Sequence, residues 1–183
     1  MANSYMTVET TNLIGCSCYS LQDDVNDIQN GAIVGKGDLV DGEMSVYKAI
    51  ADVKDGMYLV ANPAWSYNDN SATDQNEENF VNVKGVPFRV YELKKDKKFK
   101  IGNLPADTTL KKGDYVKYES GKYTKDETQK SGLKVVAVEE IGFPYCVGSY
   151  GVKVTGDSTN EYGYAIDTRN AKYTIEVVPV AAE

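Results

Sequence analysis

Residues 30–63 read NGAIVGKGDLVDGEMSVYKAIADVKDGMYLVANP, and this stretch decides the fold. Short apolar runs at 32–34, 46–51 and 57–61 are separated by Gly and Asp: Gly35-Lys36-Gly37-Asp38, Asp41-Gly42 and Asp55-Gly56. Both residue types tolerate the positive backbone angles of tight turns, so the pattern predicts strands joined by turns, one of them at 35–38. Residues 45–53 come nearest to a helical spacing, but their β-branched content and flanking turns favour a strand.

The same grammar continues outward. Downstream, Val86, Phe88 and Val90 alternate with Arg89 and Tyr91, and Pro87 suits a strand start. Further strands are predicted at 99–101, 115–118, 122–124, 133–141, 152–155, 162–168 and 173–178. The turn between the second and third of these falls at Ser120-Gly121, and residues 124–132 read as a charged, polar loop. Tyr173, Ile175 and Val177 show a period of two. Upstream, residues 13–21 predict a strand. Residues 1–14 predict an extended N-terminal arm or first strand, with one alternating patch at 5–9, that gains order only against another surface. Residues 64–81 form an acidic, Asn-rich loop with room for a short helix at 71–79. The chain therefore reads as mainly β, a small barrel or sandwich of short antiparallel strands. It divides into a first β lobe at 15–93 and a second at 94–183.

Bulk composition narrows the function. With 183 residues and 42% hydrophobic content, a packed core is within reach. The net charge of −7 disfavours nucleic acid, which draws on clustered Lys and Arg. The one dense basic run, KKDKKFK at 94–100, suits a solvated turn or exposed strand in which Lys discourages edge pairing. No stretch approaches the roughly 20 apolar residues of a membrane helix. Residues 1–15 lack the pattern of a secretory signal, so folding is expected where the chain is made.

The chemistry-bearing residues are sparse. The chain has no histidine, which removes the commonest general base and the usual metal ligand. Its three cysteines are an odd number for a disulfide framework. On a strand, Cys16 and Cys18 would share one face, but with only Cys146 remaining a zinc site would have to recruit carboxylates. The adjacent acids Asp23-Asp24, Glu77-Glu78 and Glu139-Glu140 suit opposite strand faces or solvated loops better than paired glycosidase carboxylates. The oxygen-rich run at 68–74 lacks the spacing of a calcium loop. No catalytic, cofactor or metal site is expected. Fourteen Tyr against four Phe and one Trp point instead to contact surfaces, where Tyr supplies area with a polar tip.

The order of elements also carries a resemblance. An NG turn, a strand, GDLVDGE at 37–43, VYKA at 46–49, MYLVANP at 57–63 and WSYND at 65–69 follow one another. FRVYEL at 88–93, LKKGDYVKYESGKY at 110–123 and LKVVAVEEIG at 133–142 come next. From about residue 26 onward the chain resembles the auxiliary head proteins, or capsid decoration proteins, of tailed bacteriophages. The resemblance implies a non-enzymatic virion protein, made in the bacterial cytoplasm, that binds the outer surface of the major capsid protein lattice and reinforces the head. It also implies a trimer at local three-fold positions, with no nucleic-acid or membrane partner. The expected capsid or subunit contacts are Tyr5, Met6, Val8, Leu13 and Ile14 in the arm, and Trp65 and Tyr67 in the acidic loop. The alternatives are a phage tail or head-fibre component, or a carbohydrate-binding module that stacks sugars on Tyr and Trp65.

Overall fold

A computed structural model describes residues 6–63, 80–102, 104, 110–139, 145–146, 164–165 and 172–179. The expected helix at 71–79 and strand at 152–155 lie outside these residues, as does all but residues 164–165 of the expected strand at 162–168. The strands are β1 (Thr7–Glu9), β2 (Cys18–Gln22), β3 (Ile33–Leu39), β4 (Val46–Ile50), β5 (Tyr58–Val60) and β6 (Phe88–Glu92). They continue with β7 (Lys98–Gly102), β8 (Val116–Glu119), β9 (Lys122–Lys125), β10 (Leu133–Glu139), β11 (Tyr145–Cys146), β12 (Tyr164–Ala165) and β13 (Lys172–Val177). A single 3₁₀ turn, Thr11–Leu13, is the only helical element among the described residues. The protein is mainly β.

Strands β2-β4-β3-β5-β6 close a barrel, and β1-β7-β13-β10 form a four-stranded sheet; β8-β9 and β11-β12 are two-stranded ribbons. Barrel closure runs through β2, which pairs antiparallel with β6 from Cys18↔Tyr91 to Leu21↔Phe88. On its other side β2 pairs parallel with β4. The expected all-antiparallel arrangement is broken there, because β3 and the long loop before it serve as the crossover that a parallel pair requires.

Alternation decides which side chains enter the core. Phe88 and Val90 are buried while Arg89 is exposed, and buried Phe99 and Ile101 alternate with half-buried Lys98 and Lys100. One apolar cluster fills the barrel with Leu21, Val34, Val60, Phe88 and Val90. The other joins Ile33, Leu59 and Leu93 from the barrel side to Phe99, Ile101, Val135 and Ile175 of the sheet. The two sheets thus share a core.

Three sequence expectations are corrected. Residues 35–38 are not a turn: β3 runs through them, with its pairing to β4 shifted between Lys36 and Leu39. Gly35 is required there because a Cβ would lie 1.8 Å from the Asp52 carbonyl oxygen. Residues 13–21 are not one strand, since the chain turns at 14–16 and β2 starts only at Cys18. Residues 6–13 are not a free arm: β1 pairs with β7, and Met6 and Leu13 are buried at 4% and 1% exposure.

Side chains stitch the strands together, some of them across an intervening strand. The Lys36 ammonium lies 4.5 Å from the centroid of the Tyr19 ring and 4.6 Å from that of Tyr47, a cation–π clasp across β2, β4 and β3. On the four-stranded sheet, Lys100 pairs with Glu139 at 2.7 Å, Lys98 with Glu176 at 3.5 Å, and Lys172 with Glu9. The hydrogen bond from Lys172 holds the Glu9 carboxyl below its usual range, and that from Lys100 to Glu139 raises the Lys100 ammonium. Much of the basic run is therefore spent inside the fold.

The β8–β9 hairpin turns at Ser120 and Gly121, both with positive φ (50° and 80°), as a tight two-residue hairpin turn demands. It delivers Tyr123, 2% exposed, whose hydroxyl donates to the Gly31 carbonyl at 2.7 Å. Burial pushes the Tyr123 phenol well above its ordinary value. Just beyond, Asp126 accepts from the Thr128 hydroxyl (2.6 Å), the Ser131 N–H (2.8 Å) and the Thr128 N–H (3.0 Å). These donors, the Thr128 hydroxyl first, pull its carboxyl from 3.8 down to about 2.

Replacing Tyr123 with Phe leaves the ring but removes the donor, and is expected to cost about 1–2 kcal/mol in urea unfolding. Asp126 binds its proton more weakly folded than unfolded. Its contribution is complete above pH 3.8 and is lost as the pH falls through about 2. Acid titration of Asp126→Asn should lack this component of the wild-type stability loss.

Candidate functional site

Because β1 is the outermost strand of the four-stranded sheet, its far side pairs with no strand among the described residues. Beside that edge lies a groove of about 340 Å³. Thr7 and Val8 line it from β1, Asn30 and Asn62 from the ends of barrel strands, and Arg89 and Tyr91 from β6.

The barrel wall is built by side-chain amides that replace backbone partners where strands stop. Asn30 Nδ2 donates to the Asn62 carbonyl at 2.8 Å, and the Asn62 N–H donates back to Asn30 Oδ1 at 3.0 Å. Asn82 Nδ2 donates to the Ile28 carbonyl at 2.9 Å and to Asn30 Oδ1 at 3.3 Å. The two strand ends at 30 and 62 are thereby locked together, with Asn82, 5% exposed, behind them. Asn82 Oδ1 is buried without a hydrogen-bond partner.

Among the described residues the lining of the groove contains amides, hydroxyls, a guanidinium, a phenol and apolar groups. An unpaired strand edge next to a grooved wall suits an extended polypeptide, which pairs its backbone with the edge and places alternate side chains in the groove.

The expected contact residues separate on this structure. Met6 and Val8 line the groove, Met6 through a mostly buried side chain and Val8 half-buried in β1. Leu13 is enclosed in the core and offers no surface to a partner. Ile14 stands 79% exposed, beyond the 3₁₀ turn, and is not part of the groove. Tyr5, Trp65 and Tyr67 lie outside the described residues. Cys16 is half-buried, Cys18 is exposed, and both are free thiols. Among the described residues, no group of three or more Cys, Asp or Glu side chains is placed to hold a metal. No protein-family model, curated protein or solved structure matches the chain.

The amide wall had escaped sequence reading. Asn30 precedes a glycine and Asn62 a proline, so both read as turn residues; their mutual lock spans 32 positions. The signal available was a pair of Asn at opposite ends of predicted strands, where such side chains substitute for missing backbone partners.

Two exposures make the division between core and surface measurable. Leu13→Ala should destabilise the protein by about 3 kcal/mol, as a buried leucine truncation does. Ile14→Ala should change stability by no more than about 0.5 kcal/mol. Urea melts of both variants check the pair.

Proposed function

We propose that this protein is a non-enzymatic structural component of a virion that docks on the outer surface of the major capsid lattice and reinforces the head. The observation that supports this reading most is the edge of β1 that pairs with no described strand, set beside its groove, a surface suited to capturing an extended segment of a neighbouring subunit. The order of strands and turns from residue 26 onward supports the same class.

The physics of reinforcement asks little of each copy. A subunit that binds the assembled shell and not the free capsid protein stabilises the shell by mass action, and many modest contacts add up. A trimer at local three-fold positions would let each copy bridge neighbouring capsid subunits. The glycan reading gains less from the geometry. Trp65 is outside the described residues, and Tyr19 and Tyr47 already hold Lys36 between them.

Co-sedimentation with expanded capsids lacking the protein, and with unexpanded proheads, tests the proposal. Saturable binding to expanded shells alone is the expected outcome. Ala61→Trp, which places a large side chain in the groove, should abolish it while leaving the melting temperature near wild type. Failure to bind either shell would discard the capsid role. Undiminished binding by Ala61→Trp would move the contact away from β1.

A further inference from the structure

A second depression lies on the other side of Met6, between the barrel and the tip of the β8–β9 hairpin, with a volume of about 1050 Å³. Its floor is apolar, formed by Ile28, Val34, Ile50 and Tyr118. Ala32 and Ala49 also line it. Ile50 is 39% exposed, and Val25, in the loop between two of the rim acids, is 75% exposed. Exposed aliphatic side chains gathered at and beside a depression suit the apolar groups of a partner.

The rim carries Asp23, Asp27 and Glu119, with Lys122 as the basic side chain among the described residues that line the depression. Asp23 Oδ1 accepts the Val25 and Asn26 N–H groups at 2.8 and 2.9 Å, and Asp27 Oδ1 accepts the Lys84 N–H at 2.9 Å. Both carboxylates are therefore held in place by one oxygen, and their Oδ2 atoms have no protein donor among the described residues. Glu119 pairs with Lys117 at 2.8 Å, so its charge is partly met within the chain. The unmet charge at this rim is negative, on a chain whose net charge is −7.

We propose that this depression is a second docking surface, and that its occupant is a basic segment of a partner protein. Apolar side chains of the segment would cover the floor, and flanking Lys or Arg would meet Asp23 and Asp27. Apolar contact supplies the affinity, while the fixed carboxylates select the sign of the partner and speed its approach. This surface is distinct from the β1 groove and does not depend on the capsid reading.

The probe is a fluorescent heptapeptide of alternating lysine and leucine, titrated against the full chain by anisotropy. A counterpart with glutamate in place of lysine serves as the control. The lysine peptide should bind saturably and the glutamate peptide should not. The double variant Asp23→Asn, Asp27→Asn keeps the Oδ1 acceptors that hold the loops but removes the charge, and should weaken binding about tenfold. Ala49→Trp, which fills the floor, should abolish binding. Should that variant fold poorly by circular dichroism, the Asn pair alone decides. Equal binding of both peptides, no binding of the lysine peptide, or an Asn pair that binds like wild type would overturn the proposal. So would sedimentation showing that the floor is covered by a second copy of this chain.

Discussion

The hydrogen bond from Tyr123 to the Gly31 carbonyl is the point on which the architecture turns. Gly31, at φ +86°, admits the chain to the barrel without a side chain, and a Cβ there would sit 3.1 Å from the Met6 Cβ. Met6 closes one side of this junction, and Tyr123, from a hairpin 92 positions away, closes the other. A buried carbonyl at a bend needs a donor, and the hydroxyl supplies it at the end of a ring that also fills the core. Barrel, sheet and hairpin are fixed relative to one another through this contact. Met6 in turn lines both depressions described above, so the same packing that joins the sheets also separates the two surfaces.

What the sequence makes legible is local. Strands β6, β10 and β13 announce themselves by alternation and β-branched content, and the Ser120-Gly121 turn by its glycine. The mainly β class and the barrel follow from the spacing of such elements. Long-range decisions leave no comparable trace. Gly35 and Gly37 look like turn residues because glycine serves both bends and close approaches, and only the Asp52 carbonyl against Gly35 distinguishes the two. Strand β1 reads equally as an arm or a first strand, because three residues carry little pattern and its partner lies more than ninety positions away. For the groove, Met6 and Val8 were readable as apolar residues near the N-terminus, but the Asn30 and Asn62 wall exists only once the two strand ends meet.

Charge shows the same division between local pattern and pairing. The run at 94–100 looks like a cationic patch in one dimension. In the fold Lys94 lies 3.4 Å from Glu92, Lys97 donates to the Ile14 carbonyl, Lys98 pairs with Glu176 on the adjacent β13, and Lys100 reaches across β13 to Glu139 of β10. Each exposed pair contributes little energy, on the order of 0–1 kcal/mol. Collectively they leave the sheet face close to neutral. The excess acid of the chain is expressed elsewhere, including the rim around Asp23 and Asp27.

The position of β13 imposes an order on biosynthesis. All barrel strands lie within residues 18–92, so the barrel can close while the remainder of the chain is still being made. The four-stranded sheet cannot, because β13, the last of the described strands, sits between β7 and β10. Until residue 177 leaves the ribosome, Phe99, Ile101 and Val135 have no central strand to cover them, and β7 and β10 have no mutual register. A nascent chain whose β13 has not emerged is therefore a paired barrel trailing an unfinished apolar sheet, the interval in which a ribosome-bound chaperone would matter most.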